Sequence, residues 1–86
     1  MWRIEFKASA QRDLESLDPP VRRRVLKRIE GLAANPRPPG SLKMTGEPAR
    51  WRLRVGDYRV VYQILDDVLI VTVIKVAHRK NAYRGQ

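Results

Sequence analysis

Trp51-Arg52-Leu53-Arg54-Val55-Gly56-Asp57-Tyr58-Arg59-Val60-Val61-Tyr62 is the stretch that decides the fold. From Arg50 to Val55, arginines alternate with apolar residues, the period of a strand with one face in a core and one in water. Gly56-Asp57 is a turn signal, and a second apolar-rich run, Tyr58 to Leu65, follows at once. Asp66-Asp67 marks another tight turn into Val68–Ala77. Two short turns between three strand-like runs predict an antiparallel meander.

Upstream the period changes. Ala10, Leu14 and Leu17 recur at helical spacing, and Ser9 stands where an N-cap is expected. Asp18-Pro19-Pro20 breaks that helix, with Asp18 in position to cap a second one over about residues 20–34. Its apolar stripe is Val21, Val25, Ile29, Leu32 and Ala33; Arg22, Arg23, Arg24, Lys27 and Arg28 read as a solvated face. Asn35-Pro36 ends it, and residues 35–49 read as loop. Trp2 to Phe6 alternates like a short strand. The order strand, helix, helix, three strands predicts an α+β domain spanning residues 1–86. Two helices pack on one face of a mainly antiparallel sheet, and the other face is partly open.

Charge is the strongest global feature. Eighteen Lys and Arg against nine Asp and Glu give +9 at pH 7. Such an excess on a small domain favours a polyanionic partner, nucleic acid first and an anionic membrane surface second. The Arg-rich composition suits phosphate, because guanidinium presents a planar fork and stacks on bases. There is no cysteine, hence no disulfide framework and no thiolate metal site, as suits a reducing cytoplasm. The N-terminus has no apolar signal core, and no apolar stretch is long enough to span a bilayer.

The candidate site follows from strand geometry. Arg50, Arg52 and Arg54 lie two apart and so project from one face. Three guanidinium groups in a row repel one another, and a phosphate backbone resolves that repulsion. Arg59, on the next strand, is one charge on a mostly apolar face and is alternatively a salt-bridge partner for Asp57. Lys75, Arg79, Lys80, Tyr83 and Arg84 come from the last strand and tail. Tyr83 can stack on a base, carry a proton, or simply pack the tail. His78, the lone histidine, is a candidate acid or base or an ordinary strand-end residue. One histidine and scattered acids give no metal cluster, and there is no phosphate-binding glycine loop or serine-nucleophile motif. A nuclease built from these residues works without a metal or cofactor. RNA permits this, since its own 2′-hydroxyl can attack the adjacent phosphorus while the protein supplies positive charge, a base and an acid.

Residues 51–62, the tail Val76-Ala77-His78-Arg79-Lys80-Asn81-Ala82-Tyr83-Arg84 and the segment Phe6–Leu14 together resemble the RelE/ParE toxin superfamily, in its RelE-like branch. The resemblance covers nearly the whole chain. It implies the toxin of a type II toxin–antitoxin pair, a ribosome-dependent mRNA endoribonuclease that cuts in the A site without a metal. It also implies neutralisation by a cognate antitoxin, and cytoplasmic action with no role for a membrane. By motif, Arg50 and Arg52 fall where well-known RelE members carry lysines. Arg59 matches a phosphate-contacting, transition-state-stabilising arginine, and Arg79 a proton donor or charge stabiliser. Tyr83 is the match for a tail tyrosine acting as base and stacking group. Arg54, Lys75, His78, Lys80 and Arg84 are then RNA contacts. Two departures are visible: arginines replace lysines, and the Arg79-to-Tyr83 spacing is shorter than in the best-known member. The alternative is a ParE-type toxin that inhibits DNA gyrase by binding, without nuclease activity.

Overall fold

Residues 1–46 and 48–80 are described by the computed structural model. Seven elements follow in chain order: β1 (Arg3–Phe6), α1 (Ala8–Glu15), α2 (Pro19–Gly31), β2 (Ser41–Lys43), β3 (Trp51–Val55), β4 (Tyr58–Leu65) and β5 (Ile70–His78). The strands form one sheet in the order β1-β5-β4-β3-β2. The expected meander is present as β3, β4 and β5, all antiparallel. β1 pairs parallel to β5, Ile4 opposite Val71 and Phe6 opposite Val73. The parallel pair is far apart in sequence: both helices and three strands lie between β1 and β5, so no tight turn joins them.

The core lies between helices and sheet. Ala10, Leu14 and Leu17 meet Val25, Ile29 and Leu32 over Leu53, Val55, Val60, Tyr62, Val71, Val73 and Val76. The first helical stripe is therefore buried, as are Val25, Ile29 and Leu32 of the second; Val21 is partly buried against them, and Ala33 stands outside the cluster. Among the described residues no helix is long and apolar enough to cross a membrane.

Several local expectations need correction. Ser9 does not cap α1: Lys7 holds that position without a side-chain cap bond, and the Ser9 hydroxyl donates to the Ile74 carbonyl at 2.6 Å. Asp18 is the N-cap of α2 but makes no side-chain cap bond; Pro19 and Pro20 follow it in the first turn. The segment read wholly as loop contains β2, which pairs antiparallel with β3. The β4–β5 turn is longer than two residues: Leu65 pairs with Ile70, and Leu69 adopts φ 56°. Arg22 is no solvated residue. Its Nε donates to the Leu14 carbonyl at 2.9 Å, and its Nη2 to the carbonyls of Leu17 at 2.9 Å and Glu15 at 3.2 Å. One guanidinium thus closes the C-terminus of α1, where carbonyls lack intrahelical partners.

One irregularity positions the functional face. Val61 pairs with Lys75 but Tyr62 pairs with Val73, so Ile74 is a bulge in β5. Bulges leave backbone groups without ladder partners, and here α1 takes them. Ser9 binds the Ile74 carbonyl, and the Val76 N–H donates to Asp13 Oδ2 at 2.9 Å. The extra residue also reverses the alternation of β5. Before it, Val71 and Val73 face the helices; after it, Val76 does.

A candidate phosphate-binding face

The sheet face turned away from the helices can be read from the register. Leu42 of β2 lies opposite Arg52 of β3, and Arg52 opposite Val61 of β4. Val61 in turn lies opposite Lys75, and Arg59 opposite Ala77, both on β5. Arg54 and Arg59 are direct cross-strand partners. Cβ atoms of such pairs are about 4.5–5.5 Å apart, and like charges there are destabilising. Folding thus places two guanidinium groups side by side on the open face.

Arg52, Arg54 and Arg59 converge with Leu42 and Gly40 on a shallow depression of about 240 Å³. Leu42 is exposed at 55%. Its contribution and that of Gly40 were not legible in the sequence, because both come from the segment read as loop. Val61 is buried yet stands outside the core cluster, flanked in register by half-buried Arg52 and Lys75.

The β3–β4 turn organises part of this set. Gly56 takes φ +59° at the first position of a two-residue hairpin turn, where primed turns require a positive angle. Its carbonyl accepts from Arg54 Nε at 3.1 Å. The next residue serves Arg79: the Arg79 N–H donates to the Asp57 carbonyl at 2.7 Å, and Arg79 Nε lies 4.0 Å from Asp57 Oδ1. Asp57, weighed from the sequence as a partner for Arg59, is thus placed beside Arg79.

The remaining candidates divide. Arg50 is exposed just ahead of β3, and its carbonyl accepts from the Met44 N–H at 2.8 Å. Lys80 is exposed beyond β5. His78 is not brought to the arginine face. It pairs with Tyr58, and their rings meet edge to face at 5.2 Å on the helix side, beside a second groove that includes Asp13, Ser16 and Leu17. Its Nδ1 accepts from the Lys80 N–H at 3.3 Å. Tyr83 and Arg84 lie outside the described residues. Trp51 stays on the helix side, with the Arg37 guanidinium 5.3 Å from its ring centre. Tyr62, fully buried, donates to the Pro36 carbonyl at 2.8 Å. Burial pushes its phenol pKa up, partly offset by a hydrogen bond with Ser41 and by the charges of Arg37 and Arg28.

A five-stranded sheet of this order, with an arginine-lined open face, can be set against known proteins. Residues 4–83 match the family model of the ParE toxin of type II toxin–antitoxin systems, parDE. The chain belongs to this family. Within it, the chain is a RelE-like toxin. Toxin RelG of Mycobacterium tuberculosis is 32% identical over 89 residues, covering 96% of this chain and 97% of that protein. The mRNA interferase toxin RelE of Escherichia coli K12 is 30% identical over 81 residues, covering 92% and 84% respectively. In the archaeal RelE–RelB complex from Pyrococcus horikoshii OT3, the matched chain superposes with a TM-score of 0.80 at 26% identity, covering 91% of this RelE-like toxin and 94% of that chain.

Proposed function

We propose that this RelE-like toxin is a ribosome-dependent mRNA endoribonuclease, acting in the cytoplasm and held in check by a cognate antitoxin. The observation that carries the reading is the convergence of Arg52, Arg54 and Arg59 on one depression of the open sheet face. The printed name of the Escherichia coli relative, an mRNA interferase, supports it. The antitoxin is supported by similar chains that occur as RelE–RelB complexes.

In this mechanism mRNA lies over the open face in the ribosomal A site. The RNA 2′-hydroxyl gives up its proton to a base and attacks the adjacent phosphorus. The P–O5′ bond then breaks, leaving a 2′,3′-cyclic phosphate and a 5′-hydroxyl that takes up a proton. Arg50, Arg52 and Arg59 stabilise the charge that builds on the phosphorane oxygens, the kind of preorganised stabilisation worth most where water is excluded. Arg79, oriented by Asp57, supports the leaving oxygen. Tyr83 serves as base and stacking group. Arg54, Lys75, Lys80 and Arg84 hold phosphates; His78, on the helix side, serves only if RNA reaches the sheet end. No metal is required, because the nucleophile belongs to the RNA.

Expression of the toxin should arrest growth and produce codon-phased 5′ ends on mRNA, mapped by primer extension. Arg59→Ala and Arg79→Ala should abolish both without loss of fold. On programmed ribosomes, a 2′-deoxy nucleotide at the cleavage position should block the cut. Full toxicity of both variants overturns the site assignment. A second reading, DNA gyrase inhibition, is favoured by the ParE description of the matched family. Intact mRNA with trapped DNA breaks would establish it instead.

A further inference from the structure

Outside the open face, the densest group of cations is on α2. Arg23, Arg24, Lys27 and Arg28 are all exposed, and Glu30 is the only acid in the helix. They form two rows, Arg23 with Lys27 and Arg24 with Arg28, four residues apart. Side chains at that spacing are neighbours about 5–6 Å apart, and like charges there are destabilising. None of the four is in an ion pair among the described residues. Arg22 is not part of the group, because its guanidinium is committed to the end of α1.

These rows meet the arginine face at the β3–β4 turn. A Cβ placed on Gly56 would lie 3.1 Å from Arg24 Nη1, so the Arg24 guanidinium rests against that glycine. The Gly56 carbonyl accepts from Arg54 Nε on the other side. Two guanidinium groups, one from the helix layer and one from the open face, therefore meet at a single residue. The positive surface runs from Arg52, Arg54 and Arg59 over the turn and along α2.

We propose that α2 continues the RNA path: one RNA strand held on the open face crosses the Gly56 turn and lies with its phosphates along Arg24, Arg28, Arg23 and Lys27. This rests on the reading of the open face as an RNA surface and extends it to the substrate's flanking nucleotides. Charge complementarity selects a polyanion, and continuity with the open face selects the same strand. From Arg23 to Glu30 no exposed position of α2 carries an apolar side chain, which gives a membrane no purchase there beyond the charge.

The test is equilibrium binding of 2′-O-methyl oligouridylates of about 4, 8 and 12 nucleotides, lengths within the usual site size for single-strand binders. These cannot be cleaved, so binding is read without catalysis. Wild-type affinity should keep rising with length. Arg23→Gln/Arg24→Gln/Lys27→Gln/Arg28→Gln should stop gaining at a shorter length. Single strands release about 0.7 counterions per phosphate contact, so four lost contacts flatten the log–log salt slope by about 3. Between 50 and 200 mM salt the wild type then loses roughly 50-fold more affinity for the longest RNA than the variant does. If the fourfold variant does not fold, Arg23→Gln/Lys27→Gln should show about half the change in slope. Equal length dependence and equal slopes overturn the path. So does an α2-dependent loss of binding to phosphatidylserine vesicles with RNA binding unchanged. Failure of the nuclease reading shows separately, as intact cellular mRNA with these RNA affinities unaltered.

Discussion

Arg22 provides the sharpest test of how the helix layer is held. α1 has only eight residues, too few to be stable alone. Yet it carries Ser9 and Asp13, which close the bulge in β5. Arg22→Ala removes three hydrogen bonds, to the carbonyls of Leu14, Glu15 and Leu17. The bond to Glu15 is exposed, so water replaces it at little cost. Those to Leu14 and Leu17 are partly buried, and bonds from charged donors are worth about 1.5–3 kcal/mol each when shielded. Discounting for partial exposure leaves a loss of about 2 kcal/mol, or roughly 8–16 °C in melting temperature for a domain of this size. Arg22→Lys, a point charge without the fork, should recover about 1 kcal/mol. Arg23→Ala, on the exposed side of the same helix, should stay within about 0.5 kcal/mol of wild type. Urea unfolding followed by tryptophan fluorescence measures all three. Equal midpoints for Arg22→Ala and Arg23→Ala would refute the capping role.

Tyr62→Phe leaves the buried Pro36 carbonyl without its donor and should cost about 1–3 kcal/mol by urea unfolding. The raised phenol pKa of Tyr62 means the folded state keeps that proton more tightly than the unfolded one. Its contribution is therefore complete below the ordinary tyrosine range and is lost as pH climbs through the raised value. Wild type should accordingly lose stability more steeply than Tyr62→Phe in alkaline titrations, and parallel pH profiles would contradict this. Asp13→Ala strands the Val76 N–H at the bulge and should cost about 1–3 kcal/mol, with faster amide exchange at Val76 as the local readout. Gly56→Ala places a side chain at φ +59° and displaces the flexible end of Arg24. It should cost about 1–2 kcal/mol, chiefly from the left-handed backbone, with the hairpin retained in amide exchange.

The sequence by itself determined the elements whose signals are local. The alternation of Arg50–Val55, the Gly56-Asp57 turn and the stripes Leu14/Leu17 and Val25/Ile29/Leu32 each involve residues close together in the chain, and burial follows the side-chain period. That logic also places Arg52 and Arg54 on one face; only the β3–β4 register adds Arg59 to them. The family likeness was legible in the same residues. What only the tertiary structure decided depends on partners distant in sequence. The parallel docking of β1 on β5 has no local mark. β2 forms because β3 offers it an edge, and it brings Leu42 beside Arg52. Ser9 read as a cap and Arg22 as a solvated cation, and Asp13 carried no local signal; each satisfies backbone groups of another element. The bulge at Ile74 matters most for the site. Strict alternation from Val71 and Val73 would turn Lys75 toward the helices. One extra residue, held by α1, sets Lys75 opposite Val61, in register with Arg52, and His78 opposite Tyr58 on the helix side.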